Sequence, residues 1–191
     1  MTSFVAWVGV DERSTASIYL ASDSRLTGPL NYDPMTGKML DTWHWDYGRK
    51  LYASRCYPDI WGYVGDVLFP SQILGQMVDL VDSGTIYELD DNPKIKLKKM
   101  ISFFDQASQG YPFMKDVKII YCSRFDINNR PSIRSKFSVF VLTKGGVKWN
   151  VEPVDIPNKS GEILIEGSGK GDIKIALGKW GETPHKGTSR S

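Results

Sequence analysis

The sequence predicts an α+β domain built as a four-layer αββα sandwich, in which two antiparallel sheets face each other and helices cover the outside. Three observations predict it: a buried hairpin opens the chain, two amphipathic helices follow one another in its middle, and short apolar strands return after them. At 191 residues the chain is long enough for one core without disulfide or metal support, so 1–191 reads as a single domain.

Residues 4–10 (FVAWVGV) are almost wholly apolar, 11–15 form a polar turn, and 17–21 (SIYLA) are apolar again, the pattern of a buried hairpin. A polar stretch bearing Pro and Gly covers 27–46, and short strands are expected at 50–54 and 60–64. Pro70 suits the first turn of a helix, and Ile73, Leu74, Met77, Val78 and Val81 recur at helical spacing until Gly84. Asn92 and Pro93 cap and start a second helix, whose stripe of Leu97, Met100, Ile101, Phe104 and Ala107 ends before Gly110. Lys94, Lys96, Lys98 and Lys99 around that helix read as a solvated face. Strands are expected again at 117–121 and 136–142, with Gly145-Gly146 turning into 147–151. A last apolar run, 163–165, leads into Gly167-Ser168-Gly169, and 183–191 reads as a flexible polar tail or a truncated segment.

An apolar share of 41%, a charged share of 24% and a net charge of +2 are those of a soluble globular protein, with no argument for nucleic acid or membrane as a partner. The opening apolar run has no basic leader and is too short to span a bilayer, so a cytoplasmic location is the default expectation. Cys56 and Cys122 lack CxxC spacing and read as buried thiols. His44 and His185 are the only histidines, and neither stands in a motif. With no His, Cys or carboxylate cluster at ligand spacing, neither metal nor other cofactor is expected.

Four features in order carry a resemblance. Met1-Thr2 stands directly before the first buried strand, ASDSRLT covers 21–27, GRKLY covers 48–52, and GYVGD covers 62–66 ahead of a helix. A fifth, GSGKG, covers 167–171. Together they resemble the proteasome beta-subunit family of N-terminal-nucleophile hydrolases, including its bacterial self-compartmentalising relatives, over roughly residues 2–172. The resemblance implies a threonine peptidase that cleaves peptide bonds once Met1 is removed.

By that resemblance Thr2 is the nucleophile. A threonine hydroxyl is a weak nucleophile, and an N-terminal residue supplies its own base, an α-amine whose ordinary pKa is about 7.7–8.0. Lys50 would lie beside the hydroxyl, its charge favouring the deprotonated forms of hydroxyl and amine, and Asp23 would pair with Lys50. A surface salt bridge is the plain alternative for that pair. The Gly62 amide would donate to the oxyanion, and Ser168 would help to move the proton of the amine. Alternatively, Gly62 marks a tight strand end and Ser168 an ordinary turn. Thr27 would bind substrate main chain as an added strand. Leu26, Gly48, Ile60 and Val64 would line an apolar pocket for the residue before the scissile bond.

The family further implies a homo-oligomeric ring, a peptide or unfolded-protein substrate, and an ATP-dependent unfoldase as partner. Two other functions stay open: a catalytically silent scaffold subunit, and an amidohydrolase acting on a small amide. The segment 29–47, with Trp43, His44, Trp45 and Tyr47, is longer than the family needs, and its aromatics suit either an interface or loop packing. After the glycine-rich turn the family continues with further helices and a closing strand, for which little chain remains here.

Overall fold

The structure is a computed structural model that describes residues 2–12, 14–28, 33, 35–36, 43–88, 91–111, 116–129, 132–145 and 148–182. The elements run β1 (Phe4–Val10), β2 (Thr15–Ser22), β3 (Leu26–Thr27), β4 (His44–Trp45), β5 (Leu51–Ala53), β6 (Asp59–Gly65), α1 (Leu68–Asp82), α2 (Pro93–Ser108), β7 (Val117–Asn129), β8 (Ser132–Gly145), β9 (Lys148–Val154), β10 (Gly161–Glu166) and α3 (Lys170–Gly181). The protein is thus mixed α/β. The strands form a three-stranded sheet in the order β10-β1-β2, a β3-β4 pair, and a five-stranded sheet in the order β5-β6-β7-β8-β9, with every pairing antiparallel.

Period-two alternation decides what each face of the large sheet meets. Trp61 and Tyr63 of β6, with Val117, Ile119 and Tyr121 of β7, join one buried cluster with Leu74, Met77, Met100 and Phe104 of the helices. Their neighbours Val64, Ile120 and Cys122 belong to a second cluster with Phe4 and Ala6 of β1. Helices α1 and α2 therefore cover one face of the five-stranded sheet, and the three-stranded sheet covers the other. Gly62 lies against Phe4 of the three-stranded sheet. A Cβ there would stand 2.3 Å from Cε2 of Phe4, whose side chain is fully buried.

Helix boundaries follow their local chemistry. The Asn92 side chain accepts from the amides of Lys94 and Ile95, and Pro93 opens α2, as the cap signal predicts. Helix α1 starts at Leu68, with the Asp66 carboxylate accepting from the amides of Val67 and Leu68, and Pro70 falls in the first turn. Gly84, at φ 69°, ends it in the left-handed conformation. The expected strands 117–121 and 136–142 are parts of the much longer β7 and β8. Past Ser123 on β7 and Val139 on β8, the two pair only with each other among the described residues.

Three expectations need correction. Residues 170–181 form α3, which the sequence reading did not foresee; Ile173, Leu177 and Trp180 are its half-buried stripe, and the three glycines 171, 178 and 181 obscure the pattern. Cys56 is exposed, since it sits in the open turn after β5, whereas Cys122 is buried on β7. Lys96 is not part of a solvated face. Four residues before Met100, it shares the apolar side of α2, and its Nζ reaches the fully buried Asp59 at 3.1 Å while lying over the rings of Tyr57 and Tyr87. The hydroxyls of Tyr87 and Tyr121 each donate to the same carboxylate at 2.9 Å. Lys94, Lys98 and Lys99 are exposed, as expected. The tail 183–191 and the turn residue Gly146 lie outside the described residues. Among the described residues, no helix is long and apolar enough to cross a membrane.

Two predictions follow from the core. Lys96→Ala leaves Asp59 as a buried charge without its cation and is expected to cost about 3–5 kcal/mol in urea unfolding. Burial pushes the Cys122 thiol up to about 12. The unfolded thiol loses its proton near pH 8.5, so the native state holds more protons above that pH and stability should fall as pH rises from about 8.5 towards 12. Urea titrations across that window, with Cys122→Ala as the variant lacking this slope, measure the contribution.

Candidate active site

Strand β1 is the middle strand of its sheet, and that places Thr2 and Ser3, just ahead of it, between the ends of two neighbours. On one side, β2 ends at Ser22 and Asp23. The Asp23 amide donates to the Ser3 carbonyl at 3.1 Å, the Ser3 amide donates to Oδ1 of Asp23 at 2.6 Å, and the Ser22 hydroxyl donates to the Ser3 carbonyl at 3.0 Å. On the other side, β10 ends in Gly167-Ser168-Gly169. The Gly169 amide donates to the Thr2 carbonyl at 3.0 Å, and the Thr2 nitrogen donates to Oγ of Ser168 at 2.9 Å.

The glycines of that turn are dictated by close approach. Gly167 has φ 95°, and a Cβ on it would stand 2.2 Å from the Thr2 carbonyl oxygen; a Cβ on Gly169 would stand 2.0 Å from Oγ of Ser3. The segment is therefore a turn moulded on the start of the chain, which an ordinary connecting turn would not require.

Lys50, immediately before β5, points its side chain to the same place, and only 1% of that side chain is exposed. Its Nζ donates to the Asp23 carboxylate at 3.0 and 3.1 Å, to the Arg25 carbonyl at 2.6 Å and to Oγ1 of Thr2 at 3.3 Å. An ammonium has three protons, and this arrangement supplies acceptors for all three. The structure thus brings four of the sequence-predicted residues, Thr2, Asp23, Lys50 and Ser168, into one hydrogen-bonded group. The plain surface salt bridge is not what is observed for Asp23 and Lys50. Chemically, such a group places a hydroxyl beside a cation and a chain nitrogen beside a second hydroxyl.

The remaining predicted residues scatter. Gly62 is in the body of β6, opposite Leu51 and Ile120, and the Phe4 contact already accounts for its missing side chain. Leu26 and Gly48 touch: the Gly48 amide donates to the Ser24 carbonyl at 2.8 Å, and a Cβ on Gly48 would stand 2.5 Å from Cγ of Leu26. Ile60 instead lines a cavity of about 280 Å³ with Ile18, Pro58, Cys122 and Phe137. Val64 lines another of about 510 Å³ with Thr2 and Ser168. Neither cavity gathers the four residues expected to form one apolar pocket. Thr27 pairs with His44 across β3 and β4, so one edge of its strand meets β4 and an added strand would need the opposite edge.

Two features around this group, both involving Arg25, were missed by the sequence reading. The Arg25 carbonyl is the shortest acceptor of Lys50, although nothing in a backbone oxygen could mark it in the sequence. The Arg25 guanidinium grips Asp46 at 2.6 and 3.0 Å, and that bond holds the Asp46 carboxyl below its usual range. Trp43 and Trp45 are half exposed, and Tyr47 is 82% exposed, with the Trp45 and Tyr47 rings 6.2 Å apart. His185 lies outside the described residues. Among the described residues, no group of three or more His, Cys, Asp or Glu side chains is placed to hold a metal ion.

The chain matches no protein-family model and shows no significant similarity to a curated protein or a solved structure.

Gly167→Ala is expected to cost about 1–3 kcal/mol, because it forces a side chain into a positive-φ position against the Thr2 carbonyl. Gly171→Ala, in the first turn of α3 with nothing within 4 Å of the added carbon, is expected to stabilise slightly. Paired denaturant titrations read both, and equal effects would contradict the moulded turn.

Proposed function

We propose that this chain is an N-terminal threonine hydrolase of the proteasome beta-subunit kind, an αββα sandwich that cleaves peptide bonds. One observation carries the reading: Lys50 Nζ bridges Oγ1 of Thr2 and the Asp23 carboxylate while the Thr2 nitrogen lies 2.9 Å from the Ser168 hydroxyl. The helices α1 and α2, the five-stranded sheet and the three-stranded sheet are consistent with three layers of that sandwich, and α3 follows directly on β10.

The reaction requires Thr2 to be the first residue, so that its nitrogen is an amine instead of an amide. The amine then takes the hydroxyl proton as Oγ1 attacks the substrate carbonyl carbon. The neighbouring Lys50 charge favours the alkoxide character that develops on Oγ1. Collapse of the tetrahedral intermediate breaks the carbon–nitrogen bond, and the amine returns its proton to the leaving nitrogen. The acyl group remains as an ester on Thr2 until water, deprotonated by the same amine, releases it. Ser168, hydrogen-bonded to the Thr2 nitrogen, holds that nitrogen in line for both transfers. The Gly62 amide is proposed as oxyanion donor and Thr27 as a backbone contact for substrate, in a ring of identical chains fed by an ATP-dependent unfoldase.

Treatment with an epoxyketone, which reacts with both hydroxyl and amine of an N-terminal threonine, is expected to give one adduct on a chain beginning at Thr2, read by intact mass and peptide mapping. Thr2→Ala should abolish the adduct, and Lys50→Ala should lower peptide kcat/KM by on the order of 10²- to 10³-fold. A chain that keeps Met1 and forms no adduct would instead be a scaffold subunit.

A further inference from the structure

Among the described residues, the cavity of about 510 Å³ beside Thr2 takes none from β2, β3 or β5, nor Asp23 just after β2 or Lys50 just before β5. Its walls come from the opposite side: Gly65 at the end of β6, Asp116 and Lys118 at the start of β7, Thr143 of β8, and Glu166 and Ser168 at the end of β10. Thr2 and Ser168 both face it, and they are the two residues joined through the Thr2 nitrogen.

That position has a chemical meaning, given the proposed hydrolase reading on which it rests. In acyl transfer the proton is returned to the leaving nitrogen by the Thr2 amine. The leaving nitrogen must therefore come within hydrogen-bond distance of that amine, beside Ser168. The residue carried by that nitrogen then enters the space that Thr2 and Ser168 wall. The cavity's charge selects what that residue is. Lys118 neutralises Glu166, their charged atoms 3.0 Å apart. Asp116 is exposed and forms no ion pair among the described residues, so the described lining includes two acidic residues and one lysine.

We infer that this cavity is the leaving-group subsite, and that the Asp116 carboxylate favours a basic residue immediately after the scissile bond. Val64, expected before the bond, belongs to this side. An exposed carboxylate acts through water, so the preference is modest, roughly two- to fivefold for each charge compared.

The test uses product-side peptides, whose binding needs no catalysis. Tripeptide amides beginning with Lys, Ala or Glu, each with a free α-amine, are titrated into the full chain, and affinity is read by calorimetry with resonance shifts at Thr143 and Ser168 locating the site. The expected result is affinity in the order Lys, Ala, Glu, flattened by Asp116→Asn and reversed by Asp116→Lys. Equal affinity for the three peptides, an order unchanged in both variants, or no binding with shifts at these residues would overturn the assignment. The hydrolase reading fails separately: basic peptides that bind in this order while spanning peptides stay uncleaved leave the charge preference standing but overturn its leaving-group role.

Discussion

An ammonium shielded from water must find an acceptor for every proton, and Lys50 shows what that demand imposes on its surroundings. Its partners come from the end of β2, from the backbone of the segment leading to β3, and from the residue just ahead of β1. Each must stop at a set place for the three acceptors to converge. The carboxylate that receives most of this charge also accepts from the Ser3 amide. The same residue thus neutralises the cation and anchors the start of the chain. Removing the cation would leave Asp23 held by amides alone, and removing Asp23 would release both the lysine and Ser3.

A second ionic group, Asp59 with Lys96, occupies the layer between the large sheet and α2. Here the two charges lie at the ends of distant elements and the tyrosines Tyr87 and Tyr121 complete the carboxylate's bonding. Desolvation costs of such a pair roughly cancel its attraction, so its contribution lies less in net stability than in choosing one docking of α2 on the sheet. A stripe of Leu97, Met100 and Phe104 could slide by a turn with little penalty; a buried cation facing a single carboxylate could not.

What could be read from the sequence was whatever depends on local pattern. The opening hairpin, the Asn92 cap and the two helical stripes are spaced by backbone geometry alone, and each appears in the structure within a few residues. The group around Thr2 could be assembled only by taking several short motifs together, since its members lie up to 166 residues apart. Lys96 was misread because charge is an unreliable guide to exposure when the partner is an aspartate on another element. Helix α3 was missed because its glycines weaken the periodic signal. The spread of Leu26, Ile60 and Val64 around different spaces depends on how two sheets stack, which no residue spacing encodes.

The pairing of β1 with β10 joins the fourth residue of the chain to residue 166. A ribosome makes Thr2 well before the turn that cradles it, since Ser168 follows 166 positions later in the chain. Until β10 has emerged and paired, the hydroxyl is an ordinary threonine on an unfinished sheet, lacking the Ser168 contact and the turn that fixes its carbonyl. Order of synthesis therefore decides when the group is complete: its last member, Ser168, is made long after Thr2, Asp23 and Lys50.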